Sequence, residues 1–161
     1  MGDQRAPAIR LTGWSNSGKT SFGVRLVEEL GRRGRRVGVI KHATKHPGPP
    51  DHEGKDTMRY RDAGATVVGG VFADDIVLRL PAAETTLDDL LALLAGRVDL
   101  VIVEGYNEDD LPTIAVHRSD QGRELRLPAD GELVAIVSDD ANAPRPHFEP
   151  ADIGGVADAV D

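Results

Sequence analysis

Short apolar runs alternate along this chain with stretches in which apolar residues recur every three or four positions, the rhythm of strands alternating with helices. Ala8–Thr12 reads as a strand, and Phe22, Leu26, Val27 and Leu30 lie on one face of the helix after it. Arg36–His42 is a second strand, followed by a loop marked by Pro47-Gly48-Pro49-Pro50 and a helix over Lys55–Ala63 that stops at Gly64. Ala65–Ala73 and Ile76–Leu80 read as strands joined by the turn Asp74-Asp75. Thr86–Leu94 is a helix with Leu87, Leu90, Leu91 and Leu94 inward, ended by Gly96. Leu100–Val103 is almost wholly apolar, as a strand covered on both faces must be. Thr113–His117, Glu124–Leu127 and Leu133–Val137 are further strands, and Ala151–Val160 a closing helix. This order predicts an α/β fold, a three-layer αβα arrangement around a mostly parallel central sheet. At 161 residues, with no linker that divides the chain, residues 1–161 are expected to form one domain.

The loop between the first strand and the first helix carries the chemistry. Gly13-Trp14-Ser15-Asn16-Ser17-Gly18-Lys19-Thr20 matches the phosphate-loop pattern G-x-x-x-x-G-K-[ST] at every fixed position, and Ser21 follows it onto the helix. The glycines let the backbone wrap closely with its N–H groups inward, and the helix adds uncapped amides and the positive end of its dipole. Lys19 supplies charge for the outer phosphates, and the Thr20 hydroxyl is a ligand for Mg²⁺, which prefers oxygen donors. The chain is therefore expected to be a P-loop NTPase.

The apolar run Leu100–Val103 ends in Glu104-Gly105, an acid at the carboxyl end of a central strand, where open α/β sheets place their ligands. It resembles a Walker B site, with Thr20 as its counterpart across the Mg²⁺. Lys41 ends the second strand and is placed to pair with phosphate. Beyond it Asp51 or Asp56 touches the Mg²⁺ shell or orients a water, the alternative being that Asp56 or Thr57 caps the next helix. Lys19 and Asp56 are thus the candidate catalytic residues, and Thr20, Glu104 and Asp51 the candidate metal ligands. Ser138-Asp139-Asp140 closes another apolar strand. A carboxylate there, with Asp139 the candidate, accepts from the N1–H and N2–H₂ of guanine, which adenine lacks, or else simply forms a turn.

Composition narrows the choice. A formal net charge of −8, from 19 Lys+Arg against 27 Asp+Glu, argues against a face built to neutralise nucleic acid. The absence of cysteine excludes disulfides, thiolate-bound zinc and iron–sulfur clusters. His42, His46 and His52 flank a proline-rich run that breaks any helix across them, so no dedicated zinc site is expected. No apolar run approaches a membrane span and residues 1–8 do not resemble a signal peptide, so a soluble, cytoplasmic protein is expected. Arg32, Arg33, Arg35 and Arg36 gather at the end of the first helix, where they complement its dipole or meet an acidic partner.

Taken together, GWSNSGKT at Gly13–Thr20, VGVIKH at Val37–His42, GKDTMRYRDAGA at Gly54–Ala65 and DLVIVEGY at Asp99–Tyr106 resemble the molybdopterin-guanine dinucleotide biosynthesis protein B family, MobB. The resemblance runs from Ile9 to Arg118 and resumes at Val134–Asp140. It implies a homodimeric P-loop adapter that binds GTP with Mg²⁺ and hydrolyses it weakly. Its partner would be the molybdenum cofactor guanylyltransferase, which joins GMP to molybdopterin. A small-molecule kinase is the alternative, since Arg118, Arg123, Arg126 and Arg145 are available for a phosphate lid. Two other classes fit less well: the early lysine of partitioning ATPases is replaced by Trp14-Ser15, and the Asn-Lys-x-Asp of regulatory GTPases by Ser138-Asp139-Asp140.

Overall fold

A computed structural model describes residues 5–43, 55–106, 110–128 and 131–160. The chain divides into two compact units, residues 1–43 with 91–161, and residues 44–90. In the first unit β1 (Ala8–Thr12), β2 (Val37–Lys41), β5 (Leu100–Glu104), β6 (Thr113–His117), β7 (Leu133–Ser138) and β8 (His147–Phe148) form one sheet in the order β2-β5-β1-β6-β7-β8. Every neighbouring pair is parallel. Strands that all run one way bring their carboxyl ends to a single edge, and the phosphate loop leaves β1 at that edge.

One face of the sheet packs Ile9, Leu11, Ile102, Ile114, Val116 and Val137 beneath α1 (Lys19–Arg32) and α4 (Ile153–Val160), which contribute Phe22, Leu26, Leu30, Val156 and Ala157. The alternate residues Val101, Val103, Ala115 and Ile136 are equally buried and belong to the opposite face. On that face a Cβ at Gly38 would lie 3.5 Å from Leu94 of α3 (Leu87–Leu94), so the absence of a side chain lets helix and strand close together. Arg10 is buried there too, donating from Nε and Nη2 to the Thr113 hydroxyl at 3.1 and 2.9 Å. The result is the α/β architecture expected, a parallel sheet flanked by helices.

The second unit contains α2 (Lys55–Asp62) and an antiparallel hairpin of β3 (Val68–Val71) and β4 (Ile76–Arg79), in register from Val68↔Arg79 to Val71↔Ile76. The turn closes by Phe72 N–H donating to Asp75 C=O. Thr86 and Asp89 cap the start of α3 reciprocally: the Thr86 amide donates to Asp89 Oδ2 and the Asp89 amide to Thr86 Oγ1.

Two elements differ from the sequence reading. Residues 124–127 form no strand, because the Glu124 carbonyl accepts from the Trp14 indole rather than from a neighbouring strand. Conversely, the two-residue β8 is too short to leave a periodicity in the sequence, yet the Ile136 amide donates to Pro146 C=O beside it. The arginines after α1 turn inward to intramolecular partners. Arg33 bridges to Glu29 and to Asp158 of α4, and Arg36 at the foot of β2 grips Asp99 at the foot of β5 through its amide at 2.8 Å and Nη2 at 2.7 Å.

These hydrogen bonds from Arg36 hold the Asp99 carboxyl down to about 2, from an ordinary value of 3.8. A depressed carboxyl stabilises the folded state above its unfolded value and loses that contribution as pH falls through the folded one. Asp99→Asn is therefore expected to lower stability at neutral pH and to flatten its decline between pH 3.8 and about 2, measured by urea unfolding across that range.

Candidate nucleotide-binding site

The site is built where β1, β2 and β5 end together. Leu11 and Lys41 both stand in register with Glu104, so the phosphate loop, Lys41 and Glu104 emerge side by side. Gly13 is extended far into the left-handed side, at φ 145°, and a Cβ there would collide with the Val116 carbonyl oxygen. Only glycine lets the loop lie so close on β6. Asn16 and Gly18 also have positive φ, of 65° and 88°, and the Ser17 amide between them donates to the Trp14 carbonyl at 3.2 Å, closing the turn before α1 begins.

Gly18 caps α1 with no side-chain hydrogen bond, which leaves the first amides of the helix for an anion. The Ser17 hydroxyl is buried in the loop and has no hydrogen-bond partner among the described residues. The Lys19 ammonium folds over the loop, donating to the carbonyls of Gly13 at 3.0 Å and Trp14 at 2.7 Å. Burial lowers its pKa, with Lys41 and Arg126 adding to the effect and Glu104 opposing it. Ser15 is exposed on the crest of the loop, and Ser21 lies one turn along, facing a cavity.

The Thr20 hydroxyl lies 3.2 Å from both carboxylate oxygens of Glu104, and Lys41 Nζ lies 3.3 Å from Glu104 Oε1 and 3.5 Å from Thr20 Oγ1. Hydroxyl and carboxylate oxygens converging beside a phosphate cradle are the donor set of a hard divalent cation. Glu104 is followed by Gly105, where a Cβ would meet the His42 carbonyl at 2.7 Å, and by Tyr106, whose ring stacks on His42 at 4.3 Å. Asp51 lies outside the described residues, as do His46, His52 and the side chain of Asp56. No group of three or more metal-ligating side chains occurs among the described residues.

On the other side of the loop a cavity of about 330 Å³ is lined by Ser17, Gly18, Phe22, Arg25, Arg118 and Asp139, among others. The two aspartates after β7 separate here. Asp140 turns back on its own loop, its Oδ1 accepting from the Asn142 amide at 2.9 Å, while Asp139 lines the cavity with Oδ1 held by the Ser119 amide at 2.8 Å. That hydrogen bond keeps the Asp139 carboxyl below its ordinary range, and an ionised carboxylate has further acceptor capacity. Arg25 was not singled out from sequence, although Gly18, Ser21, Phe22 and Arg25 follow the i, i+3, i+4, i+7 spacing of one helix face.

The family model described as molybdopterin guanine dinucleotide synthesis protein B matches residues 8–139. The chain belongs to the MobB family. It is 36% identical over 142 residues to a Haemophilus influenzae protein named molybdopterin-guanine dinucleotide biosynthesis adapter protein, covering 84% of this chain and 76% of that one. It is 32% identical over 165 residues to the Escherichia coli protein of the same name, covering 99% and 94%. Among solved structures, Bacillus subtilis MobB superposes with a TM-score of 0.70 at 26% identity, covering 96% of both chains. The MobB homolog of Bacillus stearothermophilus gives 0.66, also at 26%. The MobB fold thus spans nearly the whole chain, including the segment after Arg118, where motifs are fewest. No helix among the described residues is long and apolar enough to cross a membrane.

Because Gly13 combines a left-handed φ with backbone contact, Gly13→Ala is expected to lower unfolding free energy by about 2 kcal/mol or more, read from urea denaturation.

Proposed function

We propose that this chain is a GTP-binding adapter in the synthesis of molybdopterin-guanine dinucleotide, the role that the names of its MobB relatives describe. The observation that carries the nucleotide part is the meeting of Thr20 with both oxygens of Glu104 at the mouth of a loop whose buried Ser17 hydroxyl has no hydrogen-bond partner among the described residues, beside a helix start that no side chain caps. In this reading Gly13–Thr20 wraps the phosphates, Lys19 exchanges its two carbonyl partners for phosphoryl oxygens, and Lys41 approaches the same charge from β2. Thr20 and Glu104 would hold Mg²⁺, which when bound neutralises phosphate charge. The base would enter the cavity beside Phe22, with the Asp139 carboxylate accepting from the guanine edge.

Glu104 is already engaged by Thr20 and Lys41, which suits a metal ligand better than a free base for water. Hydrolysis by the isolated protein should therefore be slow. A homodimer is part of the proposal, and the hairpin supports it: Val71 and Ile76, paired across β3 and β4, are 81% and 76% exposed and call for a protein surface. The adapter would act on the guanylyltransferase that joins GMP to molybdopterin.

Glu104→Gln keeps size and polarity but not charge. It is expected to weaken GTP binding in Mg²⁺ more than in EDTA, by titration calorimetry, and equal losses in the two buffers would assign Glu104 a structural role.

The reading as a whole is tested by reconstitution: transferase, GTP, Mg²⁺ and molybdenum-loaded molybdopterin, with and without this protein. More dinucleotide should form with it. Lys19→Ala should abolish the gain, having lost about 10- to 100-fold in GTP affinity. ATP should bind more weakly than GTP by about 1 to 3 kcal/mol. No stimulation, together with rapid transfer of the γ-phosphate to a small metabolite, would establish the kinase alternative instead.

A further inference from the structure

The segment after β6 lies across the phosphate loop and is tied to it at several points. Gln121 Nε2 donates to the Asn16 carbonyl at 2.6 Å, and Trp14 Nε1 donates to the Glu124 carbonyl at 2.8 Å. His117 secures the same strap from beneath, its Nε2 lying 3.0 Å from the Arg123 carbonyl and its Nδ1 3.0 Å from the Ser138 hydroxyl. Since a carbonyl only accepts, Nε2 carries the proton in this network. Two guanidiniums then come to rest on Trp14, Arg123 at 5.2 Å and Arg126 at 5.4 Å from the ring centroid. The backbone carbonyl of the same Trp14 holds the Lys19 ammonium.

We propose that Arg126 is a ligand for the terminal phosphate of the bound nucleoside triphosphate, parked on Trp14 until that phosphate arrives. The inference rests on the nucleotide reading above and deepens it by naming what tells a triphosphate from a diphosphate. Of the two arginines, Arg123 has its backbone carbonyl held by His117, whereas Arg126 lies two residues beyond the strap's tie at Glu124 and reaches back over the ring of the loop's own Trp14. The energetics favour the exchange. A cation over an exposed aromatic face is held weakly, whereas a guanidinium on a phosphate makes paired charge-assisted hydrogen bonds. Trp14 is 38% exposed, so the first contact is the weak kind. The ring therefore acts as a positioning residue, holding Arg126 near the loop at little cost to its release.

Trp14 is the single tryptophan of the chain, so its fluorescence reports this contact directly. The test titrates GDP and a non-hydrolysable GTP analogue, each with Mg²⁺, into the full chain and its Arg126→Ala and Arg126→Lys variants. The analogue should change Trp14 emission more than GDP does, and Arg126→Ala should erase that difference. The same variant should lose about tenfold in affinity for the analogue and little for GDP, with Arg126→Lys in between. Retained GDP binding shows that Arg126→Ala is folded. Equal losses for both nucleotides, no loss for either, or equal emission changes in the unaltered protein would each overturn the role of Arg126 while leaving nucleotide binding intact. Failure of the unaltered protein to bind either nucleotide would overturn both.

Discussion

Three parallel strands that end in register at Glu104 are the constraint on which the site depends. Leu11 of β1 and Lys41 of β2 both stand opposite Glu104 on β5, so the start of the phosphate loop, a lysine and a carboxylate are brought to one point by backbone hydrogen bonding alone. Side chains at that point need little further ordering, which is why a hydroxyl, an ammonium and a carboxylate can converge there with modest entropic cost. The apolar residues of β1 and β5, nearly all removed from water, hold the register: a slip by one residue would exchange the two faces of a strand.

The second coupling is steric. Gly13 lies against the Val116 carbonyl, so the phosphate loop is seated on β6 and is close to whatever β6 leads into. What it leads into is the 3₁₀ turn Ser119–Gln121 and the strap that follows, the former held by the Asp139 carboxylate and the latter by Trp14 and His117. The cavity and the strap thus share their supports with the loop itself. In a chain of net charge −8, this edge of the sheet nevertheless gathers Lys19, Lys41, Arg118, Arg123 and Arg126. Carboxylates stand among them: Lys41 is paired with Glu104, Arg118 with Asp120, and Asp139 lines the cavity.

The apolar runs of β1, β6 and β7 and the amphipathic pattern of α1 were legible along the chain because each is a local signal contained in a few neighbouring residues. The phosphate loop was legible for a different reason: its chemistry needs particular residues at fixed spacing, independent of what packs around it. The same holds for Glu104, since an acid after a fully apolar strand points to a strand end at the ligand edge. Local signals of this kind also carried the family resemblance.

Tertiary structure decided what depends on residues far apart in sequence. Asp139 and Asp140 are alike as residues; Asp140 is taken by the Asn142 amide two positions on, whereas the Ser119 amide, twenty positions away, holds Asp139 at the cavity. Residues 124–127 have the composition of a strand, but the Trp14 indole takes the carbonyl a ladder would need. The meeting of Trp14 with Arg123 and Arg126 spans more than a hundred positions and leaves no periodic trace, because a cation on an aromatic ring needs only nearness in space. The chain by itself determined the elements and the G-x-x-x-x-G-K-T loop that joins β1 to α1, through patterns contained within a few residues. Which charges stand beside that loop was settled only when the parallel strands aligned their ends.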